Sequence, residues 1–324
     1  MMQCITNLPD KRMAQPLDKS IHALSPGDAL RFSHFAMATE FELYISGADA
    51  EYAAQAGQAA FAELDRLENV LSRFLPNSDI SRINHMQPGQ TLVIGPDAMA
   101  CLKASFRHYL ETKGAFDITV GALYACWLHA DKSLRHPSNE EIKAAGRKTG
   151  LHHLFFDEAN FVVTKEVAGL QIDLGAFGKG YAVDKMAEVL AEWGIETALI
   201  HGGASSVYAR GGEGGWQTTI SHPLDHSRIL RRLALKDLAI SGSGLQKGSH
   251  IIDPLHGRPV QIHLAAWAIA QDAAASDALS TAFMVMSTDQ VESYCKDHPQ
   301  VAAALLPFAA DAGLTNFNFD SFFP

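Results

Sequence analysis

Cysteine is scarce in this chain, four in 324 residues, and no two of them form a C-x-x-C pair. Cys4, Cys101, Cys126 and Cys295 are scattered and read as idle or buried thiols of a reducing compartment. Basic charge is short as well: 26 Lys and Arg against 36 Asp and Glu leave a net charge of -10. That balance argues against general nucleic-acid binding, because phosphate backbones are gripped by basic surfaces. No apolar run approaches the roughly 20 residues that a membrane-spanning helix needs. The opening MMQCITNLPDKRMAQPLDKS lacks the apolar core of a signal peptide, so Cys4 is a poor site for lipid attachment and a cytoplasmic location is expected. H-E-x-x-H, Cys/His zinc spacing and G-x-S-x-G are also missing, which leaves zinc-protease and α/β-hydrolase readings unsupported.

What is present is the composition of a globular protein, 47% hydrophobic and 19% charged, over a length that can bury a large core. Residues 1 to about 30 carry Pro9, Pro16 and Pro26 without periodicity and read as a loosely ordered arm. Phe41, Leu43 and Ile45 alternate along a strand expected over 34–46. Ala53, Ala56, Ala60, Leu64, Leu67 and Leu71 mark a long amphipathic helix over 50–73. RFLPNSDISRIN follows as a turn-rich loop, then a helix over 96–113 opened by Pro96, then one that Ser138 and Glu141 start as a capping box. HLFFDEANFVV reads as a hairpin feeding a strand that ends in Asp173. A helix over 181–193, the strand ETALI, short strands near 216–220, 229–235 and 238–241, a strand over 263–270 and two late helices complete the reading. Mixed strands and helices without regular βαβ alternation give α+β with largely antiparallel sheet. Residues 31–324 form one catalytic unit, with room for two lobes sharing a cleft.

Residues 171–185, QIDLGAFGKGYAVDK, pack three glycines, two aspartates and two lysines together. A P-loop needs four residues between its first glycine and Gly-Lys, then Ser or Thr. Here two residues separate Gly175 from Gly178-Lys179, and Gly180 follows. The dinucleotide fingerprint fails too, since no third glycine follows Gly180 at the right offset. Further on, Asp277 and Thr281 stand at i and i+4 on one helical face, with Ser280 alongside. Such a corner suits Mg²⁺, which takes one or two protein carboxylates and fills its shell with phosphate and water. An acid near a helix N-terminus with an incidental threonine fits the spacing equally. His250 opens HIIDP beside the glycine-rich SGSGLQKGS, a place for a general base or for a structural histidine. Asp117 and Thr119 of FDITVG and the small residues of HGGASSVYARGG fit a ligand site or plain turns.

Taken in order, AMAT, SRFLPNSDISRIN, GAFDITVGAL, DLGAFGKGYAVDK, ALIHGGASSVYARG, ISGSG, HIIDPLHGRPV and SDALSTA resemble the motifs of the ApbE family of FAD:protein FMN transferases, over roughly residues 34–290. The resemblance implies an ApbE-like, T-fold-like architecture around a central FAD cleft. It implies Mg²⁺-dependent attack of a Ser or Thr hydroxyl of a target flavoprotein on FAD, leaving FMN attached and releasing AMP. By the same resemblance, Asp277, Thr281 and the Ala176 carbonyl hold the metal, and His250 is the catalytic base. Met37, Phe74, Ala115, Phe116, Asp117, Asp173, Lys179 and Ile252 fall where the family contacts FAD. The implied partners are FAD and the acceptor flavoprotein, with no nucleic acid and no membrane span.

Three departures stand out. Phe74 replaces a common tyrosine, GGASS replaces the commoner Gly-Gly-Asp, and the lipoprotein leader of many members is not seen. Two competing functions remain: an FAD pyrophosphatase giving FMN and AMP, and a non-catalytic flavin-binding protein.

Overall fold

The computed structural model describes residues 21–24, 29–129, 133–248, 250–308 and 313–323. Most of the expected N-terminal arm, Cys4 included, lies outside the described residues. After β1 (Ile21–Leu24), β2 (Leu30–Ala36) and β3 (Thr39–Ser46) lead into the long helix α1 (Ala50–Leu71). A smaller region follows, with α2 (Asp79–His85), β4 (Thr91–Val93), α3 (Pro96–Glu111), α4 (Gly121–Trp127) and α5 (Asn139–Gly146). It ends in the hairpin of β5 (Leu154–Asp157) and β6 (Val162–Lys165), which pairs with β4. The chain returns through α6 (Gly178–Glu192) to β7 (Thr197–Gly202), β8 (Ser206–Arg210), β9 (Trp216–His222), β10 (Asp225–Leu235) and β11 (Leu238–Gly244). The short ladder β12 (Ile252–Asp253) and β13 (Arg258–Pro259) precedes β14 (Ala265–Ala270) and α7 (Ala273–Val285). Last come α8 (Thr288–Asp297), β15 (Ala302–Leu306), β16 (Thr315–Phe317) and α9 (Phe319–Phe322).

Eight strands, in the order β16-β15-β14-β11-β8-β7-β3-β2, form one antiparallel sheet. The observed class is therefore α+β with antiparallel sheets and flanking helices, as the sequence implies. Both faces of this sheet are buried along its inner strands. Along β14, Ala266 and Ala268 join the core shared with α1, α6 and α7, while Ala265, Trp267 and Ile269 join a second core shared with β9 and β10. β15 divides the same way, Ala303 and Leu305 to one side and Ala302, Ala304 and Leu306 to the other. Strands covered on both faces read as unbroken apolar runs, which hides their two-residue period. Among the described residues, no helix is long and apolar enough to cross a membrane.

The structure departs from the sequence reading at several places. The single strand expected over 34–46 is the β2–β3 hairpin, turned at Met37 and Ala38 with φ of 50° and 59°. Two left-handed residues match the twist of a tight hairpin, but neither is the Gly, Asn or Asp that announces one. β1 lies within the expected arm and pairs with β9. RFLPNSDISRIN contains α2, capped by Ser78 Oγ accepting from Ser81 N at 3.0 Å. Residues 171–173 form no sheet strand, only a bridge between Gln171 and Val120. Helix α6 begins at Gly178, so Gly178 and Gly180 are helical rather than part of the turn before it.

Candidate active site

The site is built where the start of α6 meets α7. A Cβ on Gly180 would lie 2.1 Å from Ala273 O, so only a residue without one lets the two helices approach this closely. The Gly180 N–H donates to Asp277 Oδ2 at 3.2 Å. In a regular helix that N–H would return to the carbonyl four residues back, Ala176. Gly180, however, is only the third residue of α6, whose first such bond is Tyr181 N to Phe177 O. Its N–H is one of the unpaired donors of a helix start, and Asp277 satisfies it. Ala176 precedes the N-cap, and its carbonyl stands outside the helical ladder. Lys179 Nζ stands 3.6 Å from the same Asp277 oxygen and donates to Gly175 O at 2.7 Å. Asp277 is 3% exposed, and among the described residues its Oδ1 receives no hydrogen bond. One turn along α7, Thr281 Oγ1 lies 3.0 Å from Ser243 Oγ of β11, a serine of the ISGSG stretch.

These donors fit a hard divalent cation. They are one buried carboxylate with an uncommitted oxygen, a main-chain carbonyl just before the helix, and a hydroxyl, leaving half of an octahedral shell to phosphate and water. Among the described residues no group of three or more His, Cys, Asp and Glu side chains could hold a metal. The corner is of the carboxylate-poor kind that Mg²⁺ uses.

Asp184, on the same face of α6 one turn after Gly180, fixes the other end of this junction. Its carboxylate accepts from Ala273 N at 2.7 Å and Ala274 N at 2.8 Å, while Asp272 caps α7 by accepting from Ala275 N at 2.7 Å. Burial pushes the Asp184 carboxyl up to about 7, against the pull of the two N–H donors. Asp184→Asn turns an amide N–H toward main-chain donors. A loss of about 1–3 kcal/mol in urea unfolding is expected. Because the folded chain holds this proton more tightly than the unfolded one, Asp184 makes wild-type stability fall as pH rises from about 4 to about 7. The Asp184→Asn chain should lack that slope.

Before α6, Asp173 Oδ1 accepts from Gly175 N at 2.7 Å and Oδ2 pairs with Arg73 Nε at 3.0 Å. The Arg73 guanidinium also lies 4.3 Å from the centroid of the Phe74 ring, which is 77% exposed. Tyr124 is close by, its phenol pushed up by burial first and by the Asp173 charge second.

The remaining site residues divide by what their side chains do. Phe116 packs its ring against Phe177 and His108, and Ile252 is buried with Leu123, Cys126 and Ala145. Both therefore face the core, and only their main chains are available to a ligand. Ala115 is buried as well. Asp117 Oδ1 accepts from Thr119 N at 2.7 Å and Thr119 Oγ1 at 2.6 Å, so this carboxylate braces its own loop. Burial raises its proton affinity, and these bonds oppose the rise. His250 Nδ1 lies 2.8 Å from Gly248 O. A carbonyl can only accept, so Nδ1 carries a proton, and in the neutral imidazole Nε2 is the basic nitrogen.

Close approaches knit the motifs together. A Cβ on Gly203 would meet Thr39 Oγ1 at 2.7 Å, and one on Gly202 would lie 3.6 Å from Lys179 O. The Met37 turn, the HGGASS turn and the start of α6 are thus neighbours, and Gly242 N donates to Ser205 O at 2.8 Å to add the ISGSG strand. Leu255 Cδ2 would lie 3.2 Å from a Cβ on Gly114, which joins the 114–117 and 250–256 segments. Sequence reasoning missed Arg73, Tyr124, Ser243 and the helix-tying role of Asp184. Asp184 and Ser243 stood inside quoted motifs, but nothing in their spacing indicated a partner. Two hollows, of about 390 Å³ beside Asp184 and about 720 Å³ beside Arg82, are lined by none of the expected site residues.

The fold is shared with ApbE proteins of known structure. One from Thermotoga maritima superposes with a TM-score of 0.81 at 26% identity, over 92% of this chain and 100% of that one. The flavinyl transferase ApbE of Pseudomonas stutzeri, in its apo form, gives 0.80 at 25% identity, over 91% of this chain and 97% of that one. In sequence, the FAD:protein FMN transferase of Escherichia coli is 30% identical over 273 residues, 79% of this chain and 78% of that protein. The ApbE family model matches residues 37–306. The chain belongs to the ApbE family.

Proposed function

We propose that this chain is a Mg²⁺-dependent FAD:protein FMN transferase, which moves FMN from FAD to a Ser or Thr hydroxyl of a target flavoprotein and releases AMP. The names of its relatives support the flavin chemistry. The single observation that carries the metal part is the buried Asp277 carboxylate, whose Oδ2 takes the Gly180 N–H at the start of α6 while its Oδ1 receives no hydrogen bond among the described residues. Mg²⁺ held by Ala176 O, Asp277 and Thr281 would neutralise charge on the pyrophosphate oxygens.

The chain's own residues do the rest. FAD, the substrate, lies against Met37, Phe74, the 115–117 main chain, Asp173, Lys179 and Ile252. The exposed Phe74 ring offers a stacking surface that a missing phenolic hydroxyl does not remove. Lys179 brings positive charge beside Asp277. His250 Nε2 takes the acceptor's hydroxyl proton as that oxygen bonds to the FMN phosphorus. The phosphoanhydride bond to AMP breaks, and AMP leaves with the bridging oxygen. The three described cysteines are free and buried, which supports a reducing, cytoplasmic setting.

Mixing the protein with FAD, MgCl₂ and a candidate flavoprotein tests this reading. A covalently fluorescent acceptor band and matching AMP are expected, both lost in EDTA. FMN and AMP appearing as fast without an acceptor would identify a pyrophosphatase, and tight FAD binding without turnover a binding protein. His250→Ala should lower kcat by about 10²–10⁴-fold with FAD affinity little changed; an unchanged kcat removes His250 from the mechanism.

A further inference from the structure

Residues 171–173 carry the chain into the turn that bears Asp173 and Ala176, yet they form no sheet strand. On one side, Asp173 N donates to Ile118 O at 2.7 Å and Gly121 N to Gln171 O at 3.1 Å. On the other side stands a single side chain. Ile172 N donates to Asn84 Oδ1 at 2.6 Å, and Asn84 Nδ2 donates to Ile172 O at 3.0 Å. One amide thus satisfies both main-chain groups of one residue, the pair of bonds that a hydrogen-bonded antiparallel neighbour would supply. The partners also fix the orientation of the amide, because Ile172 N–H needs an acceptor and Ile172 C=O a donor.

Asn84 is itself held. It is 7% exposed at the end of α2, and its main-chain carbonyl accepts from Lys165 Nζ at 2.9 Å and from Gln171 Nε2 at 3.2 Å. Lys165 is fully buried, and among the described residues no carboxylate pairs with it. Burying an ammonium is costly unless its hydrogen bonds are well placed, so an apolar residue would be the cheaper filling for a mere core position. Lys165, Asn84 and Ile172 form a chain of polar contacts running from β6 to the flavin-nucleotide turn.

We propose that Asn84 is a positioning residue for the active site: its side chain, anchored through the buried Lys165, sets where Asp173 and Ala176 stand. The inference rests on the FMN-transfer reading above, which assigns those two residues to FAD and to the metal. Asn84 touches neither ligand in this scheme and acts through Ile172. A displacement at Ile172 passes directly to Asp173, whose main chain is fixed on the opposite side by Ile118.

The test is a double-mutant cycle read by FAD binding in EDTA, using flavin fluorescence, so that neither Mg²⁺ nor turnover enters. Asn84→Asp keeps Oδ1 and the side-chain shape but faces Ile172 O with an acceptor. It should weaken FAD binding about tenfold, as should Asp173→Asn, and the double variant should lose little more than either alone. Additive losses, or an Asn84→Asp chain that binds FAD like the wild type, overturn the proposal. Lys165→Met, which leaves the amide clamp untouched, should give a smaller loss in the same direction. Should Asn84→Asp fail to fold, hydrogen exchange on the wild-type chain decides: Ile172 N–H should be protected although no strand covers it, and rapid exchange there overturns the clamp. A wild-type chain that binds no FAD at all overturns the FMN-transfer reading itself, and this inference with it.

Discussion

Asp277→Asn lowers flavin transfer by about 10³-fold or more, roughly 4 kcal/mol of transition-state stabilisation, while the chain stays folded. Asp277 supplies the only carboxylate among the three proposed metal donors, so the change removes the one formal negative charge that protein offers the cation. Magnitude favours the metal over the fold as the seat of the loss. The carboxylate is 3% exposed and faces Lys179 at 3.6 Å and Gly180 N at 3.2 Å. An amide oxygen can still accept from Gly180, and Lys179, itself partly exposed, can turn to Gly175 O, which it already reaches at 2.7 Å. The fold therefore loses a pair that solvent partly screens, whereas the proposed metal site loses its one charged donor. Initial rates of AMP release at saturating FAD, with thermal melts beside them, measure both effects. A wild-type rate for Asp277→Asn at ordinary Mg²⁺ would remove the residue from the metal site.

Gly180→Ala is the second large effect, and it arises from shape alone. Alanine is the better helix former by about 1 kcal/mol, so propensity predicts a more stable chain. The added Cβ, however, would sit 2.1 Å from Ala273 O, 2.6 Å from Ala273 C and 2.8 Å from Ala274 Cα. All three are main-chain atoms that no rotamer change can move aside, and non-bonded carbons settle at about 3.5–4.0 Å. Overpacking of this kind costs about 1–3 kcal/mol, so the steric term wins and α7 shifts away from α6. That shift carries Asp277 with it and strains the Gly180–Asp277 bond. A misplacement of about 1 Å can cost 10²-fold in rate. Urea unfolding and the transfer rate should both fall, the rate by about 10²-fold. A variant as active as the wild type would mean that the close approach of α6 and α7 does not set the site.

Elements governed by local signals were legible in the sequence. The period of Ala53 to Leu71 gave α1, and Ser138 with Glu141 gave α5, whose capping box is present in both directions. Features that depend on a partner far along the chain, or on turn residues that carry no turn signal, were not. β15 reads as an apolar run because both of its faces are covered, and the β2–β3 turn uses Met37 and Ala38 where a glycine signal was needed. Residues 171–173 read as a strand, but the place of a neighbouring strand at Ile172 is taken by the side chain of Asn84, 88 positions away. The candidate site was legible mainly as ordered motifs. Why Gly180 must be glycine appears only when Ala273 is beside it, and Asp184 shows its use only at the N-terminus of α7.

The most direct test of the account is the intact mass of a candidate flavoprotein after co-expression with this chain. The expected result is a gain equal to one attached FMN, mapped to a Ser or Thr, and absent when Asp277→Asn replaces the wild type. An unmodified acceptor, recovered while the wild-type chain converts FAD to FMN and AMP at full rate, would contradict it.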